Sequence, residues 1–128
     1  MDLRFYYCDV CKKTVALVTD TGTPTVCCGQ PMRELMPNRT DGAFEKHVPV
    51  CSVDGSAVSV RVGSVSHPMA EQHSIMWIGL RTAKGFQMRE LHPGDAPEAH
   101  FFLGPDDRAE TAYAFCNLHG LWAAEILI

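Results

Sequence analysis

Several features are scarce in this sequence of 128 residues. The 11 Lys and Arg residues are outnumbered by 15 Asp and Glu, which leaves a net charge of −4. Because phosphate binding requires clustered Lys and Arg, this balance excludes a nucleic-acid surface. No apolar run approaches the length of a membrane span, and the start of the chain lacks the basic and apolar segments of a signal peptide. We therefore predict a cytoplasmic protein that binds neither nucleic acid nor membrane.

The sequence also has no convincing amphipathic helix, no internal repeat and no low-complexity segment. Short β-rich runs follow one another instead, and Val58–Val62 alternates strictly between apolar and polar residues. Turn signals such as Ala83-Lys84-Gly85 separate the runs at a spacing of roughly 8–12 residues, which is typical of sandwiches. The further runs are residues 75–80, 86–91, 99–103, 112–115 and 121–128. These patterns predict an all-β protein with a sandwich of about seven strands.

Six cysteines are present, and the cytosol keeps thiols reduced, so metal ligands or free thiols are favoured over disulfides. Four of them fall between residues 1 and 37, a stretch too short to be held together by apolar burial: Cys8, Cys11, Cys27 and Cys28. Four thiolates suit tetrahedral zinc or iron, and the residues alone do not choose between the two. We predict a metal-stapled β module in residues 1–37.

The adjacent pair Cys27-Cys28 requires a local turn, since neighbouring side chains of an extended strand point to opposite faces. Gly29 follows the pair and permits such a turn. Residues 37–42 then form a polar linker. The second predicted domain spans residues 38–128.

This second domain contains another set of metal-ligand residues, in the segments Glu45-Lys46-His47, His67 to His73 and Cys116-Asn117-Leu118-His119. Imidazoles that converge with a thiolate suit iron, zinc or copper. His92 and His100 have no partner motif and are interpreted as ordinary histidines. Cys51 is interpreted as a half-buried free thiol, although a reactive thiol has the same sequence signature. Trp77 and Trp122 are predicted core residues, either of which can also wall a metal site.

In order and spacing, these motifs resemble desulfoferrodoxin, the two-iron form of superoxide reductase, over essentially the whole chain. The resemblance implies a desulforedoxin-like first domain and an immunoglobulin-like second domain. It places one iron on Cys8, Cys11, Cys27 and Cys28 and the catalytic iron on His47, His67, His73, His119 and Cys116. The chain departs from the family pattern at Gln72, where an acidic residue is usual, and at Ser74, where the family has a bulkier residue. Neither departure removes a ligand.

The resemblance implies the one-electron reduction of superoxide to hydrogen peroxide at a ferrous centre, as part of the oxidative-stress defence of an anaerobe or microaerophile. We expect Lys46 to attract the superoxide anion and Glu45 to bind the open iron position after oxidation. Without His47 beside them, the two would be a solvated pair at a strand edge. The expected partners are superoxide, a rubredoxin-like electron donor and a second copy of the chain in a homodimer.

Two rival hypotheses remain open at the level of sequence. Both irons can serve only to pass electrons to a partner, which would make the protein a non-enzymatic carrier. Alternatively, the chain is a zinc-stapled β-sandwich that binds another protein. Metal analysis with an absorption spectrum separates the three hypotheses, because zinc is colourless and thiolate-bound ferric iron is not.

Overall fold

A computed structural model describes residues 3–40 and 45–127 of the chain. The described residues fall into two compact units, the first ending at Met36 and the second beginning at Pro37. All regular structure in these residues is β, which confirms the predicted fold class. Among them there is no helix long and apolar enough to cross a membrane.

The first unit contains five short strands: β1 (Arg4–Tyr7), β2 (Thr14–Leu17), β3 (Val26–Cys27), β4 (Gln30–Pro31) and β5 (Arg33–Glu34). Strand β1 lies between β2 and β5 in an antiparallel sheet, and β3 pairs with β4 in a separate hairpin. Of its described apolar side chains, only those of Phe5, Cys8 and Leu35 are buried. So small a core agrees with a module that needs a metal staple, because a fold of this size buries too little apolar surface to be stable alone.

The second unit contains seven strands: β6 (Pro49–Asp54), β7 (Ala57–Val62), β8 (Ile75–Thr82), β9 (Phe86–Glu90), β10 (Glu98–Phe102), β11 (Ala109–Cys116) and β12 (Gly120–Glu125). They form two antiparallel sheets, one in the order β10-β7-β6 and the other in the order β12-β11-β8-β9. The predicted sandwich of about seven strands is therefore confirmed. It has the immunoglobulin-like form expected from the resemblance.

The core of the sandwich lies between the two sheets and follows the period-2 pattern of β-strands. Val58, Val60 and Val62 of β7 are almost completely buried, as their strict alternation predicts. From the opposite sheet, Ala112, Ala114 and Cys116 of β11 join the same cluster, with Ile78 and Leu80 of β8. Cys116 thus ends a buried strand, and its thiol is anchored by the core itself.

Strand β6 was not predicted, since the first β pattern recognised in the sequence begins at Val58. Its first residue is Pro49, which has no N–H to donate to a sheet. Because β6 is an edge strand, a proline at its start costs little. The predicted last strand, residues 121–128, is shorter in the structure, where β12 ends at Glu125.

The predicted linker, residues 37–42, is in part a structured segment. Asn38 forms a parallel bridge with Trp122, since its N–H donates to the carbonyl oxygen of Leu121 at 2.9 Å. Its own carbonyl oxygen accepts from the N–H of Ala123 at 2.9 Å. The beginning of the second unit is therefore tied to the edge of β12. Residues 41–44 lie outside the described part of the chain.

Candidate metal centres

The first candidate centre gathers the four cysteines of the first unit. The group consists of Cys8, Cys11, Cys27 and Cys28, and their four sulfur atoms lie within 4.8 Å of one another. The Sγ atoms of Cys11 and Cys27 are 3.6 Å apart, and those of Cys27 and Cys28 are 3.9 Å apart. All four are free thiols. Four sulfur atoms with this spacing suit a tetrahedral zinc or iron ion.

The backbone at the adjacent pair turns as the sequence requires. Cys28 has a φ of 52° and Gly29 a φ of 75°, so two successive residues are in the left-handed region. Few residues other than glycine adopt this conformation. In this conformation the side chains of Cys27 and Cys28 both point to the four-cysteine group. The prediction of a local turn at Gly29 is confirmed.

The close approach of four thiols separates their pKa values. The N–H of Cys11 donates to Cys8 Sγ at 3.4 Å, and this hydrogen bond lowers the pKa of Cys8 to about 6. The neighbouring thiol of Cys11 raises the pKa values of Cys27 and Cys28. Four thiolates therefore do not coexist at this spacing without a positive ion. A metal cation bound there would supply that charge and would favour release of the remaining thiol protons to solvent.

The second candidate centre lies at one end of the sandwich. Its residues precede β6, occupy the connection between β7 and β8, and end β11. The group consists of His47, His67, His73 and Cys116, and one donor atom of each residue lies within 4.8 Å of those of the other three. The antiparallel order brings these chain segments to the same end, because β6 and β8 begin where β7 and β11 finish.

His119 is not a member of this group of four, but its ring borders it. Its Nδ1 atom lies 3.1 Å from Nε2 of His47 and 3.7 Å from Sγ of Cys116. The ring centroid of His119 is 4.8 Å from that of His47 and 5.0 Å from that of His73. The structure therefore brings together all five residues that the sequence predicted for this centre.

Two buried nitrogen atoms indicate that this centre fits a metal ion. Nε2 of His67 and Nε2 of His73 are buried and have no hydrogen-bond partner, which is uncommon for buried polar atoms. His67 Nδ1 lies 2.7 Å from the carbonyl oxygen of Pro68, and a metal-ligating histidine usually donates its other ring N–H to such an acceptor. With the Nδ1 proton held there, Nε2 carries the lone pair that a metal requires.

Burial keeps these imidazoles neutral, as metal ligands must be. It lowers the pKa of His67 to about 4 and also lowers the pKa of His73. Burial raises the pKa of Cys116, although hydrogen bonds from the backbone N–H groups of Leu118 and His119 act in the opposite direction. The thiolate form of Cys116 is thus costly unless a cation lies beside it.

Glu45 and Lys46 precede His47 directly and were predicted to act in catalysis. The backbone of Glu45 has a φ of 45°, and its carboxylate accepts a hydrogen bond from Ser64 Oγ at 2.9 Å. The charge of Lys46 contributes to lowering the pKa of His73, so it acts electrostatically on the second centre. Ser64 was not singled out in the sequence, because a serine 19 residues away gives no local signal.

Trp122 walls the second centre, which was one of two roles open for it in the sequence. Its ring is stacked on the ring of His47, with centroids 4.6 Å apart and planes 19° apart. Trp77 instead stacks on Phe115, with centroids 5.8 Å apart.

The remaining histidines, His92 and His100, were interpreted as ordinary residues, and both take part in interactions outside the two centres. His92 Nε2 lies 3.0 Å from a carboxylate oxygen of Glu90, and His100 Nδ1 lies 3.1 Å from Ser59 Oγ. Neither belongs to a metal-ligand group among the described residues.

Comparison with known proteins gives consistent matches along the chain. The family model for desulfoferrodoxin matches residues 39–125, and the model for the desulfoferrodoxin N-terminal domain matches residues 2–36. The chain is 46% identical to a desulfoferrodoxin of Nitratidesulfovibrio vulgaris over 95% of each chain. It is 44% identical to a desulfoferrodoxin homologue of Archaeoglobus fulgidus over 94% of each chain. Among solved structures, the superoxide reductase of Treponema pallidum aligns with a TM-score of 0.83 and 38% identity, covering 96% of this chain and 98% of that one.

Proposed function

The chain belongs to the desulfoferrodoxin family, and on that premise we propose that it is a superoxide reductase. In the proposed reaction, superoxide takes up one electron and two protons and becomes hydrogen peroxide, with no release of oxygen. Residues 38–128 are the proposed catalytic domain, and residues 1–37 the proposed iron-binding domain. The two groups of donor residues match the two-iron pattern of the family.

One observation carries the proposal. Imidazoles and one thiolate converge, and two of these imidazoles have a buried nitrogen without a hydrogen-bond partner. We assign the catalytic iron to His47, His67, His73, His119 and Cys116, and the other iron to Cys8, Cys11, Cys27 and Cys28. When bound, a ferrous ion with five protein ligands supplies an electron and one open position for a small oxidant. A purely structural site would not need an open position, because structural metal sites are closed by their protein ligands.

The protein residues of the catalytic centre have distinct proposed roles. The buried imidazoles stay neutral at physiological pH, since burial lowers the pKa values of His67 and His73. The backbone N–H groups of Leu118 and His119 stabilise the negative charge of the Cys116 sulfur. Lys46 adds a positive charge at the centre. This local charge attracts an anionic substrate and so offsets the repulsion from the overall charge of −4. Water supplies the two protons.

Glu45 has a role that follows electron transfer in this proposal. Its carboxylate would serve as a further ligand of the iron once the iron is oxidised. In the structure Ser64 Oγ holds that carboxylate by a hydrogen bond of 2.9 Å, so Glu45 has a defined resting partner. The proposed switch exchanges one partner for another and leaves the carboxylate paired in both states.

The proposed donor is a rubredoxin-like protein, and the proposed setting is the cytoplasm of an anaerobe or microaerophile under oxidative stress. Cys11 and Cys28 are exposed, so the sulfur group is accessible to a donor. The six free cysteines agree with a reducing compartment. A homodimer is supported by four apolar side chains among the described residues of the first unit that are more than half exposed, those of Val10, Val18, Val26 and Met36.

Metal analysis and direct kinetics test the function together. Natively produced protein should contain about two irons per chain, by the geometry rules for the two donor sets. In pulse radiolysis the reduced protein should consume superoxide and form hydrogen peroxide without oxygen. Two zinc ions per chain, or oxygen release with a superoxide dismutase stoichiometry, would contradict the proposal.

Two variants separate the sites within that experiment. Cys8→Ser should reduce the iron content to about one per chain and leave superoxide reduction with an artificial donor intact. Cys116→Ser should slow superoxide reduction more than any single imidazole variant that keeps its iron, because serine is a protonated and poor donor. Unchanged turnover of Cys116→Ser at full occupancy would remove the thiolate from the mechanism.

A further inference from the structure

We propose that Asn117 is a positioning residue that fixes His73 relative to Cys116, an inference that depends on the metal site assigned in the proposed function. Asn117 follows Cys116 directly in the chain, and its amide side chain spans the backbone on both sides of His73. Its Oδ1 accepts from the N–H of Ser74 at 3.0 Å. Its Nδ2 donates to the carbonyl oxygen of Gln72 at 3.1 Å.

The orientation of this amide follows from its partners. A backbone N–H is only a donor and a carbonyl oxygen only an acceptor, so Oδ1 must face Ser74 and Nδ2 must face Gln72. An aspartate at this position keeps the acceptor but places a second oxygen against the carbonyl of Gln72. An aliphatic residue of the same size loses both interactions. Asparagine is thus the residue whose side chain matches the donor and the acceptor at this separation.

The side chain acts where the β ladder is interrupted. The register between β11 and β8 shifts between Phe115 and Cys116, so that Cys116 pairs with Ile75. Beyond this point the backbone N–H of Asn117 still donates to the carbonyl oxygen of Ser74 at 3.2 Å. The amide then provides the next two bonds in place of a regular strand. The extra residue lies in β8, where Met76 falls between the partners of Phe115 and Cys116, and Asn117 retains its connection to the neighbouring segment.

His73 depends on its backbone for its orientation. Its Nε2 has no hydrogen-bond partner, and its own N–H and carbonyl oxygen both pair with Ala70, at 3.1 and 3.0 Å. Ala70 therefore ties the segment on one side, and Asn117 ties it on the other. With both connections in place, the rings of His73 and His67 pack edge to face at a centroid distance of 4.6 Å.

Titration of the full-length protein with Co²⁺ tests the role of Asn117. The absorption bands of Co²⁺ differ between a sulfur-four site and a nitrogen-rich site, so both affinities are read in one sample. Asn117→Ala and Asn117→Asp should each weaken Co²⁺ binding at the nitrogen-rich site by roughly 10- to 100-fold, the usual effect of losing an outer-shell contact. The affinity of the sulfur-four site should not change, and it serves as the internal control.

A double-mutant cycle identifies the ligand on which Asn117 acts. In a His73→Ala background, Asn117→Ala should have little further effect on Co²⁺ affinity, because the residue that it positions is gone. In a His47→Ala background the full effect should remain, since the side-chain hydrogen bonds of Asn117 go to Ser74 and Gln72, on either side of His73. Equal losses in both backgrounds, or a fall in thermal stability with unchanged Co²⁺ affinity, would overturn the inference.

Failure of the inference is distinguishable from failure of the proposed function. If the wild-type protein binds Co²⁺ at the nitrogen-rich site and both Asn117 variants bind it equally well, only the role of Asn117 is wrong. If the wild-type protein shows only the sulfur-four bands, the metal assignment itself is wrong and the inference falls with it.

Discussion

The ring of Trp122 lies nearly parallel to that of His47, 4.6 Å away, while its indole Nε1 donates a hydrogen bond to the carbonyl oxygen of His119 at 3.1 Å. One side chain therefore contacts two of the proposed iron ligands, one through its face and the other through its edge. Asn38 forms a parallel bridge with Trp122, through hydrogen bonds to the backbone of Leu121 and Ala123. Trp122 therefore supports both ligands.

Replacement of Trp122 should weaken the second metal site. Trp122→Ala removes both the stacked ring and the hydrogen bond, and should reduce metal affinity there by roughly 10- to 100-fold. Trp122→Phe retains part of the stacking and should cause a smaller loss. Metal titration against a chelator measures both. The matched control is Trp77→Phe, whose ring stacks on Phe115 and should leave the affinity unchanged.

A methyl group at Gly63 should disturb the segment that carries Glu45 and Lys46. A Cβ atom at this position would lie 2.6 Å from the carbonyl oxygen of Glu45 and 2.9 Å from the carbonyl carbon of Lys46. Both are backbone atoms, so Gly63→Ala should cost about 1–3 kcal/mol of unfolding free energy, as overpacking does. Urea denaturation measures this cost. Gly85→Ala is the control, because nothing lies within 4 Å of its Cβ; an equal loss there would contradict the steric explanation.

The charge of Lys46 should act on the encounter with superoxide. A cation near an open metal position raises the local concentration of an anion before any bond forms. Steering by whole sites spans roughly tenfold to a thousandfold, and one residue should give the low end of that range. Lys46→Ala should therefore slow the second-order step in pulse radiolysis and flatten its dependence on ionic strength, since screening has less attraction to remove.

Two controls accompany that measurement. Lys84→Ala removes a lysine whose Nζ donates to the carbonyl oxygen of Pro105, and should change neither the rate nor its salt dependence. Glu45→Ala should leave the encounter step nearly unchanged and alter the absorption spectrum of the oxidised protein. If Lys46→Ala keeps the wild-type rate and salt dependence, Lys46 belongs with the ordinary solvated charges.

Cys51 should be an unreactive thiol at neutral pH. Burial raises its pKa to about 11, so that roughly one molecule in a thousand carries the thiolate at pH 8. Alkylation of the metal-loaded protein, followed by mass spectrometry of the peptide that contains Cys51, should show modification only in alkaline solution. Rapid labelling at pH 8 would identify Cys51 as a reactive thiol instead.

The same shift predicts a pH dependence of stability. The ordinary thiol pKa is 9.0, so between about pH 9 and pH 11 the unfolded chain releases the Cys51 proton while the folded protein keeps it. The free energy of unfolding should therefore fall as the pH rises through this window. Cys51→Ala lacks this proton, so its stability should decline less steeply than that of the wild type. Parallel slopes would contradict the burial of the thiol.

Local patterns were sufficient for much of the architecture. The alternation of Val58–Val62 is a property of neighbouring residues, and the structure buries the three valines as predicted. The turn at Cys28-Gly29 follows from two adjacent ligands, a constraint that is also local. Strand β6 was missed because Pro49 is a strand breaker in local terms, and only its position at a sheet edge makes it acceptable.

The sequence by itself determined the all-β class, the two groups of donor residues and their family resemblance, since residue types and spacings are encoded in the order of the chain. Only the tertiary structure decided which side chains support those donors. Asn117 contacts Ser74 across 43 residues, and Trp122, on the last strand of the domain, contacts His47, which precedes the first strand. Such contacts depend on strand register, which shifts between Phe115 and Cys116. A slip of one residue in the pairing would direct the same side chains to the other face of the sheet.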